Sequence, residues 1–410
     1  MKQLKATLCT IGDELLIGQV INTNSAYLAR LLEEEGIHVR RHISISDEPE
    51  DIISTLRSEL QDCDIVITTG GLGPTKDDRT KQCLAEIFGC RGWKESSEQM
   101  KVIENILLRR GIPMLDINKA QALVPEAADV IVNTIGTAPI MAFHDKGKAL
   151  YAMPGVPFEA EKAAADVIDD IRHHFDLHKQ IFHRCIMTYG IAESSLSKKI
   201  EAWEDEITSQ GVHLAYLPSH KDGVKLRLSI YDKEDTSLID NAVRKLGQMI
   251  PQYIYNYNES TLAETLIDRL KEKGLRLAIA ESCTGGYLSS LITAIPGVSE
   301  IYMGSVTSYA NEVKRNVLGV SKEVTDKIGV VSAECVEQMA AGVAKAISIA
   351  TSGYAGPTGT NVGQVWIGVA LPGGRVESKE INVPKWNSRR LIIERSSAAA
   401  LHFALSLLSK

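Results

Sequence analysis

Residues 277–290 read LAIAESCTGGYLSS. A short apolar run ends on Glu281, Ser282, Cys283 and Thr284, turns through Gly285 and Gly286, and passes into a segment with helical spacing. The order is strand, tight turn, helix, and in an open α/β sheet such a turn is where ligands collect. Two glycines let backbone approach a substrate closely, and a new helix start offers N–H groups to an oxyanion or phosphate.

The same grammar extends in both directions. Before the stretch, TLAETLIDRLKEKG (261–274) repeats leucine at helical spacing and stops on Gly274; after it, IYMGSVTSY, ISIATSG and QVWIGVALP read as strands. Residues 257–410 are therefore expected to form one α/β domain. At the other end of the chain, ATLCTIG, SAYLARLLEEEG, IHVRRHISIS, EPEDIISTLRSELQDC and DIVITTGG alternate strand and helix patterns, the rhythm of a helix-covered parallel sheet over residues 1–172. Between them, residues 173–256 carry a helical SSLSKKIEAWEDEI and two alternating runs, VHLAYLPS and VKLRLSIYD, around SHKDG, as in a small α+β connector with a hairpin.

Composition narrows the function. A chain of 410 residues exceeds one ordinary core. A net charge of −7 argues against a broad nucleic-acid surface and favours small-molecule substrates. With no run of about 18 uncharged apolar residues and an N-terminus that reads directly into a strand, no membrane association and a cytoplasmic location are expected. Seven widely spaced cysteines without a CxxC pair read as reduced thiols.

In the C-terminal region, Ser282 stands where a nucleophile would benefit from a nearby base. Because no histidine lies between residues 221 and 401, a serine–histidine pair within this region is disfavoured, and SVTSYANEVK (305–314) offers Tyr309 and Lys314 instead. A third glycine-rich strand end, ATSGYAGPTGT (350–360), adds Ser352, Gly353 and Gly356. In the N-terminal region, TTGGLGPTKDD (68–78) follows a strand, so Gly70, Gly71 and Gly73 suit a phosphate-approach loop. Asp13, Glu14, Asp47, Asp77 and Asp78 lie at strand ends, and carboxylates beside such a loop suit a divalent cation bridging to a pyrophosphate. The run HHFDLH, with His173, His174 and His178, reads as a solvated helix end, since no complementary ligand cluster accompanies it in the sequence.

Taken together, GDELLIGQVINTNS, TTGGLGPTKDD, PGVPFEA, TYGIAESSL, LAYLPS, AESCTGG, TSYANEVK, VVSAECVEQMA and SGYAGPTG resemble the CinA family, competence/damage-inducible protein A, across essentially the whole chain. The resemblance implies a molybdopterin-binding-like N-terminal domain acting as an ADP-ribose pyrophosphatase with Mg²⁺, Mn²⁺ or Co²⁺, releasing AMP and ribose 5-phosphate. Its site would draw on Gly12, Asn24, Thr69, Gly70, Gly71, Gly73, Thr75, Gly155 and Glu159 for substrate and on the five carboxylates for metal. It also implies a metal-independent C-terminal amidohydrolase that converts nicotinamide mononucleotide to nicotinic acid mononucleotide and ammonia. Here Ser282 would be the nucleophile and Tyr309 with Lys314 the activating pair. Glu281, Thr284, Gly285, Gly286, Ser352, Gly353, Gly356 and Arg389 would lie around the substrate. A homodimer and a role in pyridine-nucleotide salvage follow from the same likeness. The alternative is a nucleotide-binding regulatory protein linked to competence or recombination, with one or both sites inactive.

Overall fold

The computed structural model describes residues 4–75, 78–177, 181–231, 236–343 and 346–408. The chain divides into two compact units, residues 1–181 and 182–410.

In the first unit, Lys5–Ile11 is buried at six of its seven positions and Ile65–Thr69 at all five, as strands covered on both faces must be. Lys5–Ile11 pairs in parallel with His38–Ile45 on one side and Ile65–Thr69 on the other, and Ile65–Thr69 pairs in parallel with Lys148–Met153. Helices Thr23–Glu34, Pro49–Asp62 and Pro157–His174 pack on this sheet, with Leu28, Leu32, Ala164, Val167 and Ile171 in one core and Ile52 and Leu56 in another. His38–Ile45 is an edge strand and carries Arg40 and Arg41, charges that discourage pairing with another chain.

The far side of this sheet departs from an all-parallel expectation. Ile140–Asp145 runs antiparallel to Lys148–Met153, and Asp129–Ile131 antiparallel to Ile140–Asp145. The reason lies at Lys146 and Gly147, both at positive φ (50° and 76°), which close a two-residue hairpin whose twist suits antiparallel strands. Three strand ends, after Ile11, Thr69 and Met153, nevertheless finish at the same edge of the sheet and face one cavity.

The second unit holds two sheets. Ile181–Thr188, His213–Ser219, Gly223–Tyr231 and Ile254–Asn256 form a four-stranded sheet over the buried Leu196, Ile200 and Trp203 of helix Glu193–Ser209. The five-stranded sheet runs Tyr302–Thr307, Leu277–Glu281, Ile347–Gly353, Gln364–Ala370, Val376–Asn382, with the first three parallel and the last two antiparallel. Alternation along Leu277–Glu281 sends Leu277 and Ile279 into a core with Leu262, Leu266 and Leu401, and Ala280 into a second core with Val336 and Met339.

Helix Arg389–Leu408 is, among the described residues, the one long and apolar enough to cross a membrane by length and composition, a match the sequence expectation did not include. Its apolar window is 67% buried, with Ala400, Leu401 and Ala404 inside the C-terminal core. All seven cysteines are free thiols.

Candidate functional site

In the five-stranded sheet, Glu281 is in register with Thr307 on one neighbour and Thr351 on the other. The next residue of each strand is a serine, so Ser282, Ser308 and Ser352 leave the sheet at the same level. Ser282 N donates to Thr351 O at 3.0 Å and Ser308 N to Glu281 O at 2.7 Å, which ties the three ends together.

Lys314 comes from the short helix Asn311–Asn316 and is 1% exposed. Its Nζ donates to Ser282 Oγ at 3.0 Å and to Ser308 O at 2.6 Å. No carboxylate is bonded to it among the described residues, and burial pushes its pKa below the ordinary lysine value. A desolvated amine against a hydroxyl is a base–nucleophile arrangement.

Tyr309 does not complete a relay between these two. It is 63% exposed and accepts a hydrogen bond from Arg389 Nη2 at 2.9 Å, while Arg389 Nη1 donates to Gly356 O at 2.5 Å. Arg389 and Tyr309 thus form an exposed cationic rim, and of the pair expected beside Ser282 only Lys314 is hydrogen-bonded to it among the described residues.

The N-terminal cavity has a volume of about 540 Å³ and is lined by Gly12, Glu14, Asn24, Asp47, Thr69, Gly70, Gly71, Gly73, Asp78, Gly155 and Glu159. Glycine is required at Gly70 and Gly71: at φ +108° and +65°, a Cβ there would stand 2.2 Å from Ile11 O and 2.1 Å from Thr80 Oγ1. Asp78 Oδ2 accepts from Thr75 N at 2.9 Å and from Thr75 Oγ1, and Asp47 Oδ2 from Asp13 N at 3.0 Å. Asn24 Nδ2 donates to Gly155 O at 2.9 Å, whereas its Oδ1 is buried without a hydrogen-bond partner. Glu159 Oε2 accepts from Asn133 Nδ2 at 2.8 Å.

Family models match this chain from end to end: a molybdopterin binding domain over residues 7–173, the damage-inducible protein CinA KH domain over 183–256, and the CinA C-terminal domain over 259–408. A CinA-like protein of Flavobacterium psychrophilum is 40% identical over 423 residues, covering 99% of this chain and 98% of its own. Another from Chloroherpeton thalassium is 38% identical over 428 residues, covering 98% and 99%. The chain belongs to the CinA family. A solved structure of the protein CinA from Thermoplasma acidophilum, described as of unknown function, is 31% identical over 41% of this chain and 98% of its own, with a TM-score of 0.37.

Several expected site residues of this CinA-family chain have other work. Glu281 is fully buried, and its carboxylate accepts from the N–H groups of Gly286, Leu288 and Ser289 at 2.9, 3.1 and 2.9 Å. It therefore occupies the helix start that the sequence offered to a substrate anion. Gly285 N closes a turn onto Ser282 O at 3.2 Å, and Thr284 Oγ1 bonds Thr351 Oγ1 at 2.7 Å. Ser352 Oγ donates to Val330 O at 2.6 Å, away from Ser282, and a Cβ on Gly353 would meet Gln364 O at 2.6 Å, so this glycine serves strand packing. Gly356 takes φ +73° and presents its carbonyl to Arg389. Cys283 is buried, and burial pushes its thiol pKa up to about 12, so it stays a protonated thiol.

In the first unit, Asp13 and Thr75 are not among the cavity-lining residues but each donates its backbone N–H to one of them, Asp13 to Asp47 and Thr75 to Asp78, and Asp77 and His178 lie outside the described residues. Glu14, Asp47 and Asp78 share the cavity but do not close into a three-carboxylate cage among the described residues. Sequence reading missed Gln121 and Thr137 in the cavity wall and Ser308 as the carbonyl partner of Lys314. For Ser308 the signal was present, since it precedes Tyr309 in the quoted segment.

Proposed function

We propose that the chain is a bifunctional hydrolase of pyridine-nucleotide salvage, with a Ser282–Lys314 amidohydrolase acting on nicotinamide mononucleotide and an ADP-ribose pyrophosphatase in the N-terminal cavity. The observation that carries the first activity is the buried Lys314 amine at 3.0 Å from Ser282 Oγ. Neutral Lys314 takes the hydroxyl proton as Ser282 Oγ attacks the carboxamide carbon. The Thr284 N–H, for which no acceptor is found among the described residues, is the donor assigned to the developing oxyanion. Lys314 returns the proton to the leaving nitrogen, the C–N bond breaks, and ammonia departs. Water, deprotonated by the same amine, then releases the acid from the acyl-serine. Arg389 at the exposed rim pairs with the phosphate of the mononucleotide.

In the N-terminal cavity, the donors suit a hard divalent ion: Mg²⁺ takes one or two protein carboxylates and completes its shell with substrate phosphates and water. Asp78 and Asp47 would hold it, and the unpartnered Asn24 Oδ1 fits a hydrated ion or ribose hydroxyl. Bound there, the ion would neutralise charge on the pyrophosphate. The loop around Gly70, Gly71 and Gly73 brings backbone against phosphate oxygens, and Asp47 and Glu159 orient the attacking water. Attack on phosphorus and cleavage of the P–O–P bridge give AMP and ribose 5-phosphate.

The test is incubation with nicotinamide mononucleotide without added metal, following ammonia and nicotinic acid mononucleotide beside a Ser282→Ala control. Product from the parent alone supports the reading. Absence of product from both removes the amidohydrolase and leaves the C-terminal site a nucleotide-binding module.

A further inference from the structure

The histidines at the end of helix Pro157–His174 have a partner that lies far away in sequence. His144, from strand Ile140–Asp145, stacks on His174 with ring centroids 3.7 Å apart and planes 13° from parallel. Asp170, one helical turn before His174, sits beside both: its Oδ2 is 3.0 Å from His144 Nε2 and 3.3 Å from His174 Nδ1. His144, Asp170 and His174 each offer a ligand atom, and the three atoms lie within 4.8 Å of one another.

The hydrogen bonds around the cluster select which nitrogens are available. His174 Nδ1 is 2.9 Å from Asp170 O, so the imidazole N–H satisfies that helix-end carbonyl and leaves Nε2 with a lone pair. His144 Nδ1 is inaccessible to solvent, has no hydrogen-bond partner, and faces Asp129 Oδ2 at 3.4 Å. A carboxylate behind the far nitrogen of an imidazole is the outer-shell arrangement that orients histidine toward a metal. His144 Nε2 lies 3.0 Å from Asp170 Oδ2, a separation that either an N–H or a bound cation bridges. The buried Tyr151 hydroxyl donates to the same oxygen at 2.8 Å, fixing the carboxylate. Stacked rings at this separation disfavour a proton charge on both.

We propose that His144, Asp170 and His174 form a divalent transition-metal site of the zinc class, with Asp129 and Tyr151 as its outer shell. Two imidazoles and one carboxylate suit Zn²⁺, Co²⁺ or Ni²⁺ rather than Mg²⁺, and partial exposure of His174 (43%) leaves a position for water. The site lies at the opposite end of the sheet from the nucleotide cavity. His144 pairs with Ala149 near the start of Lys148–Met153, whereas the cavity is lined by Pro154 and Gly155 beyond its end. Its role is a staple, joining the last turn of the long helix to the antiparallel hairpin. It is independent of the activities proposed above.

The experiment is a Co²⁺ titration of the full chain, with Mg²⁺ in excess to occupy the oxygen-lined cavity, read by the visible d–d absorption that nitrogen ligands give. The wild type should show a saturable band at one equivalent. His174→Ala, at an exposed helix end where folding tolerates it, and His144→Ala should each weaken binding by at least the roughly 10–100-fold that loss of an outer-shell partner alone costs a metal site. Asp78→Ala should leave the band unchanged. Zn²⁺ should raise the melting temperature of the wild type and not of His174→Ala. No saturable band in the wild type, or a band that survives both histidine changes, overturns the assignment and leaves the cluster held by a proton.

Discussion

Lys314 Nζ is 3.0 Å from Ser282 Oγ, and the same nitrogen is anchored to Ser308 O at 2.6 Å inside a pocket that exposes 1% of the lysine. With its pKa lowered by burial, a larger fraction of this amine is neutral near physiological pH than for a surface lysine. Ser282→Ala should abolish deamidation, and Lys314→Met should lower kcat by roughly 10²–10⁴-fold. The parent's kcat/KM should rise with pH on a limb whose midpoint falls below the ordinary lysine value. Lys314→Arg, which stays charged, should not rescue; steady-state rates that retain a tenth of wild-type activity in that variant would exclude lysine as the base.

Glu281 holds the turn rather than the substrate. Its carboxylate satisfies three backbone N–H groups in a place with no solvent exposure. Glu281→Ala leaves those donors unpaired at about 1–3 kcal/mol each, so the C-terminal domain should lose several kcal/mol of stability. Glu281→Gln, which keeps an acceptor oxygen, should fall between. Hydrogen exchange of the amides in residues 286–293 distinguishes this from a substrate-binding role: faster exchange in the absence of ligand is expected, and unchanged exchange with a raised KM contradicts it.

Much of this was legible in the sequence because it is local. Strand and helix periods, glycine turns and the run of small polar residues after each strand pointed to the strand ends where the N-terminal cavity and the Ser282–Lys314 contact lie. What sequence could not show is the direction in which a side chain turns once the strands are aligned. Ser352 and Ser282 follow aligned residues of neighbouring strands, yet one hydroxyl bonds Val330 O and the other faces Lys314. Likewise, Glu281 is one residue from the nucleophile but folds back onto its own helix. The His144–Asp170–His174 cluster was invisible because residue 144 reaches the others only through hairpin pairing and helix packing.

Arg389 and Tyr309 should affect binding more than chemistry. Arg389 donates to Tyr309 Oη and Gly356 O at the exposed rim, not to Ser282 or Lys314. Arg389→Ala should therefore raise KM for nicotinamide mononucleotide by about 10-fold or more, the loss of one charge-assisted contact, with a smaller change in kcat. Hydrolysis of the corresponding nucleoside, which lacks the phosphate, should be insensitive to the change. Equal loss on both substrates would assign Arg389 to the reaction centre.

Asp78, which lines the cavity, is positioned by Thr75 through two hydrogen bonds to one oxygen. Asp78→Ala should remove metal-dependent ADP-ribose hydrolysis while leaving the circular dichroism spectrum unchanged. Thr75→Ala should cost less, because Thr75 N still donates. If both variants hydrolyse ADP-ribose at the parental rate, the pyrophosphatase site is elsewhere.

The last prediction concerns Lys81, which is 8% exposed and whose Nζ donates to Gln121 O at 2.6 Å and Leu123 O at 3.0 Å, pinning a segment whose Gln121 lines the N-terminal cavity. Burial lowers its pKa to about 8, partly opposed by Asp78. Below that value the amine is protonated in both folded and unfolded chains, and the folded state bears the full cost of a buried charge. Between about 8 and the unfolded value near 10.4, the folded amine is neutral while the unfolded chain still binds the proton, so stability rises with pH. The N-terminal domain should therefore gain stability relative to Lys81→Met from about pH 7 to about pH 10, by up to on the order of 3 kcal/mol. Melting temperatures of both proteins across that range check the sign. A difference that shrinks with pH would mean that Lys81 is held charged, with its attraction to the two carbonyls and Asp78 outweighing the cost of burial.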